Sequence, residues 1–134
     1  MSKAIIQTVN SGDQTIEENG IIGLGTTTHR YGCDLIQNGN GIMVTGDGYY
    51  KIDANVVITP VATGDTTIVL LDNGTPIPGA TASYTIETVG NVVTLPISFI
   101  IRRGCHCINA DNISLQLTAN SGTVNNIVVN IERK

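Results

Sequence analysis

The sequence predicts an all-β protein, and three observations carry that prediction. Thr, Val and Ile are abundant and favour pleated strands, whereas the 15 Gly and the many Asn residues favour turns. Short runs rich in β-branched residues alternate with turn signals about every eight to twelve residues. No window has the period of an amphipathic helix. A chain of 134 residues can bury one core, so we expect a single domain over residues 1–134.

The first half of the chain has six segments in which β-branched or aromatic residues cluster. They are residues 4–9, 14–16, 21–24, 33–37, 42–44 and 49–58. The Asn-Gly pairs at Asn19-Gly20 and within residues 38–41 are turn signals between them. In the longest segment every second residue is apolar, which predicts one core-facing side. Those residues are Tyr50, Ile52, Ala54, Val56 and Ile58.

The second half predicts five further strands, over residues 67–71, 83–88, 92–101, 113–118 and 124–131. Pro76 and Pro78 predict that residues 76–79 form a connection, because proline cannot donate to a ladder. A hairpin between segments 83–88 and 92–101 is expected across residues 89–91. In each of the last two strands every second residue is apolar. These residues are Ile113, Leu115 and Leu117 in the first and Ile127, Val129 and Ile131 in the second. About ten strands in this order predict an antiparallel two-sheet jelly-roll sandwich.

Three segments carry a resemblance to a known superfamily. Residues 46–52 read GDGYYKI, a Gly-x-Tyr segment at the start of a long strand. Residues 69–80 read VLLDNGTPIPGA, a strand, an Asn-Gly turn and a return through Ile-Pro-Gly; residues 111–117 read DNISLQL and precede a last apolar strand. In these segments the chain resembles the C1q and TNF-like jelly-roll superfamily. It is most similar to bacterial and bacteriophage members, such as C-terminal domains of collagen-like spore-surface glycoproteins and phage virion proteins.

The resemblance implies a compact homotrimer. Some strands are apolar on both faces, which suits a second buried face at a subunit interface, although one chain could also cover both faces itself. We take Val57 and Ile100 as contact candidates on that basis. Residues 1–12 are expected to form a docking or edge-strand arm, with Ile5 and Ile6 as its contact candidates.

Charge and hydropathy exclude several classes of partner. Charged residues make up 13% of the chain and the net charge is −4, so we expect no nucleic-acid partner, because binding phosphate requires clustered cations. No apolar run reaches the roughly 20 residues of a membrane span, and none at the start is long enough for a signal peptide. We therefore expect no membrane partner and synthesis in a cytosol, which the resemblance to bacteriophage proteins implies is a bacterial host cytoplasm.

Cys105, His106 and Cys107, with Cys33 far upstream, are the strongest candidates for metal ligands. Thiolates and imidazoles bind zinc, but Cys-x-Cys is a poor match to the spacing of structural zinc sites. Inert thiols, or a disulfide between Cys33 and one of the pair, are the alternatives, and inert thiols are favoured. We therefore predict no metal and no cofactor.

No nucleophile elbow, zinc-protease motif or phosphate-cradling loop is present, so we predict that the protein is not an enzyme and has no catalytic residues. The leading hypothesis is a trimeric capsid decoration or head-fibre protein on the exterior of a bacteriophage virion, bound to a capsid or other virion protein. The alternative is a receptor- or glycan-binding module of a phage tail or bacterial surface. Four tyrosines are the residues that would serve glycan binding, Tyr31, Tyr49, Tyr50 and Tyr84.

Overall fold

A computed structural model describes residues 3–103 and 111–134. The described residues form eleven strands and no helix. The strands are β1 (Ile5–Asn10), β2 (Gln14–Ile16), β3 (Thr26–Tyr31), β4 (Leu35–Asn38), β5 (Gly41–Val44), β6 (Gly48–Pro60), β7 (Gly64–Asp72), β8 (Thr75–Ile86), β9 (Val93–Arg103), β10 (Asp111–Ala119) and β11 (Gly122–Arg133).

The strands make two antiparallel sheets that pack face to face. In the six-stranded sheet the order is β3-β1-β11-β6-β9, with β2 also paired to β11; in the five-stranded sheet it is β4-β5-β10-β7-β8. Most neighbours in each sheet are far apart in sequence, as Greek-key connections require. The predicted two-sheet jelly-roll sandwich is thereby confirmed.

One apolar core fills the space between the sheets. The alternate residues of β6 that the pattern predicted to face inward, Tyr50 to Ile58, are all buried. The alternate apolar residues of β10 and β11 are buried as well. Because side chains alternate across a strand, these buried residues fix which face of each sheet meets the core.

The expected connection at residues 76–79 is wrong, because these residues lie inside β8. The ladder with β7 shifts register between Val69 and Leu71, so that Pro76 pairs with Leu71 and Thr81 with Val69. The interruption covers residues 77–80 of β8, so Pro78 lies inside it and Pro76 borders it. The expected hairpin across residues 89–91 is also wrong, since β8 and β9 belong to different sheets and the segment crosses between them.

The structure differs from the strands predicted from the sequence at two places in the first third of the chain. β3 was missed because it has no apolar face: all six of its residues are exposed, and its ladder with β1 holds it. Residues 21–24 do not form a regular strand. Ile21 makes an isolated bridge with Gln116, and the Ile22 amide donates to the Leu115 carbonyl at 2.9 Å. Ile22 and Leu24 are buried, so this apolar run contributes to the core without a ladder of its own.

The N-terminal segment is not an edge-strand arm over the residues of β1. β1 pairs with β3 on one side and with β11 on the other, so it lies within the six-stranded sheet. The Arg133 amide donates to the Ala4 carbonyl at 2.9 Å, and the Lys134 amide donates to the Tyr49 carbonyl at 2.8 Å. Residues near both chain ends therefore lie side by side at one end of the sandwich, which we call the terminal end.

Candidate functional site

The outer face of the six-stranded sheet is a regular surface with few charges. Its residues face away from the core on β1, β6, β9 and β11. They include Ile5, Gln7, Val9, Tyr49, Lys51, Asp53, Asn55, Val57, Thr94, Pro96, Ser98, Ile100, Arg102, Val128, Asn130 and Glu132. Apart from Lys51, Asp53, Arg102 and Glu132 they are neutral.

The polar groups of this outer face are partly paired with one another. The Gln7 amide donates to the Asn130 side-chain oxygen at 2.8 Å, and the Thr28 hydroxyl donates to the Gln7 side-chain oxygen at 2.9 Å. The Lys51 ammonium and the Asp53 carboxylate lie 3.7 Å apart. Polar groups that already have partners lose little when water is removed, so the outer face can be buried against a protein surface.

Three of the four contact candidates lie on this outer face. Ile5 is 41% exposed and Ile100 is 53% exposed, at opposite sides of the sheet, and Val57 is half-buried between them. Ile6 is fully buried and packs in the core. We therefore withdraw Ile6 as a contact candidate, because neighbouring residues of a strand face opposite sides.

A cleft of about 390 Å³ opens beside Ile5 at the terminal end. Lys3, Ala4, Tyr31, Glu132 and Arg133 complete its lining. Tyr31 is 65% exposed, so its ring offers an apolar face next to cations and a carboxylate. Of the other tyrosines proposed for glycan binding, Tyr50 is fully buried and cannot contribute to such a surface.

Arg133 organises the polar groups beneath this cleft. Its guanidinium donates to the Asp34 carboxylate at 2.5 Å and to the Tyr50 hydroxyl at 2.7 Å, and it lies 5.3 Å from the centre of the Tyr50 ring. The Tyr50 hydroxyl in turn donates to the Gly46 carbonyl at 3.0 Å. Burial raises the pKa of Tyr50, and the hydrogen bond from Arg133 opposes that rise. These contacts tie the last strand to the turn before β6.

A second arginine lies at the same end, between the sheets. The Arg103 side chain is 2% exposed and forms an ion pair with Asp111 at 2.9 Å. Asp72 lies beside this pair, and burial raises its pKa, with the charge and hydrogen bond of Asp111 adding to the effect and Arg103 opposing it. The cluster links β9 of one sheet to β7 and β10 of the other, and its charge depends on pH. We call it the charged cluster.

Sequence reasoning missed both arginines, although a signal was present. Arg103 continues the inward parity of Leu95, Ile97 and Phe99 on β9. Arg133 does the same after Val129 and Ile131 on β11. An arginine at the end of an inward-facing row of residues can bury its stem against the core while its guanidinium pairs with a carboxylate, as Arg103 does with Asp111 and Arg133 with Asp34.

The metal candidates are only partly within the described chain. Cys105, His106 and Cys107 lie outside the described residues, and Cys33 is exposed in the turn between β3 and β4. Within residues 3–103 and 111–134, no three His, Cys, Asp or Glu side chains are grouped to hold a metal ion. No helix in this part of the chain is long and apolar enough to cross a membrane.

Solved structures share this arrangement over nearly the whole chain. Murine APRIL superposes with a TM-score of 0.78 at 11% identity, over 99% of this chain and 100% of that one. The globular domain of zebrafish complement 1qA protein gives a TM-score of 0.66 at 8% identity, over 96% of this chain and 94% of that one. The fold is a C1q/TNF jelly roll.

A third structural neighbour comes from a virus particle. The vertex protein P5 of phage PRD1 gives a TM-score of 0.61 at 16% identity, over 96% of this chain and 94% of that one. No protein-family model and no curated protein matches this chain in sequence. At these identities the likeness concerns the jelly-roll fold, which serves structural and binding modules alike.

Proposed function

We propose that this chain is a non-enzymatic bacteriophage virion structural protein, a homotrimeric decoration or head-fibre protein on the particle exterior. The observation that carries the proposal is the weakly charged outer face of the six-stranded sheet, exposed on a jelly roll that a phage vertex protein shares.

A trimer would bury this outer face around a threefold axis. A cyclic trimer brings two different patches of the same chain together, because its contacts are head-to-tail. Ile5 and Ile100 supply such patches, since they lie at opposite sides of one sheet. The paired amides between them would enter the interface with their hydrogen bonds already formed.

Ile100→Asp tests the trimer directly. Ile100 is opposite Lys51 in the β6–β9 ladder, so the new carboxylate has a cation beside it on the isolated subunit and the fold is retained. In the trimer the same carboxylate would be buried, which weakens association by about 2 kcal/mol or more. We expect the solution mass, from size-exclusion chromatography with light scattering, to fall from three subunits toward one.

The matched control is Ile36→Asp, which changes an isoleucine that is 44% exposed on the outer side of the five-stranded sheet. It should leave the mass at three subunits. A monomeric parent protein, or equal loss of mass in both variants, would contradict the proposal. Attachment is tested separately by adding purified trimer to particles that lack it and measuring co-sedimentation.

The exposed Tyr31 favours glycan binding as a second candidate function. An aromatic ring beside Lys3 and Glu132 can stack on a sugar while charged groups bind its hydroxyls. This candidate predicts that the isolated protein binds bacterial surface polysaccharide and that Tyr31→Ala abolishes binding. Particle attachment without glycan binding would reject it.

A further inference from the structure

Asn-Gly pairs are the places where a protein backbone can modify itself. The glycine nitrogen attacks the asparagine side-chain carbonyl carbon, ammonia leaves, and a cyclic imide forms. Water then opens the imide to aspartate or to isoaspartate, so one amide and one water become one carboxylate and one ammonium. The reaction needs an unrestrained amide side chain and a free glycine N–H. The chain contains four such pairs, Asn19-Gly20, Asn38-Gly39, Asn40-Gly41 and Asn73-Gly74.

Two of the pairs are held by hydrogen bonds. The Asn73 side chain donates to Asp111 at 3.3 Å and accepts from the Asn112 amide at 2.8 Å. At the first pair the attacking group is occupied, because the Gly20 amide donates to the Glu17 carbonyl at 2.8 Å.

The pair Asn40-Gly41 is restrained by the fold. Gly41 pairs with Asn38 in the β4–β5 ladder, and an ideal β-carbon on Gly41 collides with the Asn112 side chain. The packing against Asn112 is the restraint that Asn38-Gly39 does not share, and it leaves the Gly41 backbone little freedom to rotate toward the imide geometry.

Asn38-Gly39 is restrained in its backbone but not at its reacting atoms. Asn38 pairs with Gly41 in the β4–β5 ladder, and the Gln37 side chain donates to the Gly39 carbonyl at 3.1 Å. Neither contact engages the Asn38 side chain or the Gly39 amide. Asn38 is exposed, and its side chain has no hydrogen bond within the described part of the chain. Gly39 occupies the two-residue turn with φ of 61°, and no atom beyond its chain neighbours lies within 4 Å of its ideal β-carbon. The Gly39 amide also has no acceptor among the described residues.

We propose that Asn38 is a self-modification site at which the folded protein deamidates ahead of its other Asn-Gly pairs. The product carries one more negative charge. The isoaspartyl form also adds a methylene to the main chain at the pair that closes the β4–β5 hairpin. The outer edge of the five-stranded sheet would change in charge and in pairing as the protein ages. This inference does not depend on the proposed virion role.

The test compares folded and unfolded protein. Both are incubated in mildly alkaline buffer, the second with urea, and peptide mapping by mass spectrometry tracks aspartate and isoaspartate at each pair. In urea we expect all four pairs to convert at similar rates. In the folded protein Asn38 should convert roughly tenfold faster than Asn19 or Asn73, the factor that one to two ordinary hydrogen bonds represent.

Two variants make the result unambiguous. Asn38→Asp supplies the authentic product for chromatography, and Asn38→Gln removes the site while keeping an amide. In Asn38→Gln the first acidic form of the folded protein should no longer accumulate. Conversion of Asn19, Asn40 or Asn73 as fast as Asn38 in the folded state would overturn the proposal. So would an Asn38 that stays unchanged in the folded protein over the time in which it converts fully in urea.

Discussion

Thr8 places a hydroxyl group in the core without a hydrogen bond. Its side chain is fully buried on β1, and its Oγ1 atom has no partner among the described residues. Valine keeps the shape and removes the unpaired group, so Thr8→Val should stabilise the protein by about 1 to 2 kcal/mol. Urea unfolding at neutral pH measures this change.

Thr66→Val is the matched control for that experiment. Thr66 is equally buried, but its hydroxyl accepts a hydrogen bond from the Asn120 side chain at 3.3 Å. The same substitution there should lower the free energy of unfolding. A loss of stability in Thr8→Val would show that its hydroxyl has a partner after all.

Asp72 makes stability depend on pH. Its pKa in the folded protein is raised above the ordinary value of 3.8, so the folded state holds the proton more tightly than the unfolded state. Above the raised pKa the ionised carboxylate costs stability, and the cost disappears as the pH falls through that pKa. Asp72→Asn should therefore be more stable than the parent protein at pH about 7, with a gain that shrinks toward pH about 4.

Denaturant unfolding of both proteins at the two pH values measures the effect. Asn can still donate to Asp111, which keeps the local contact. An equal gain at both pH values would trace the effect to packing instead of titration.

At the scale of residues, the core could be predicted from the sequence, and the charged cluster could not. Alternation alone identified the buried positions of β6, β10 and β11. The same rule fails at Arg103 and Arg133, because a charged residue at an inward position is read as a strand end. Thr8 was missed because nothing in a sequence tells whether a buried hydroxyl has a partner.

Gly25 is the position where an element depends on the absence of a side chain. Its φ is 80°, and an ideal β-carbon there collides with the Val9 carbonyl oxygen just before β3 begins. Gly25→Ala should cost at least about 3 kcal/mol, from left-handed backbone strain together with overpacking. Thermal unfolding and the retention of β structure by circular dichroism measure this loss.

Gly39→Ala separates the two contributions. Gly39 has a positive φ as well, but open space surrounds its ideal β-carbon. It should therefore cost only the strain, roughly 1 kcal/mol. Equal costs at the two glycines would show that the Val9 carbonyl can move aside.

At the scale of elements, strands with an apolar parity were found, and β3, which has none, was missed. β3 consists of exposed residues and exists because β1 offers it a ladder, which is a tertiary effect. The prolines of β8 predicted a break, and the structure contains one, but as a bulge inside a continuous strand. Local sequence marks an interruption without telling whether the strand ends there or continues beyond it.

At the scale of the whole molecule, strand pairing lay beyond sequence reasoning. β8 and β9 are consecutive in the chain, yet they belong to different sheets, because pairing is decided by long-range contacts. For the same reason, the residues of the candidate surface could be predicted, but their arrangement could not. Ile5, Val57 and Ile100 could be named as apolar positions, but only the sheet order places them on one face.

The adjacency of β1 and β11 has a practical consequence for engineering. β1 and β11 are neighbours, with Ile5 opposite Glu132, at Cα separations of about 5 Å in an antiparallel ladder. A linker of about four to six Gly and Ser residues could join the end of β11 to the start of β1. New termini could then open in the exposed crossover at Gly90, where an ideal β-carbon meets no atom within 4 Å. Such a circular permutant would carry a fused cargo at the crossover instead of at the terminal end, so two separate places on this jelly roll are available for display.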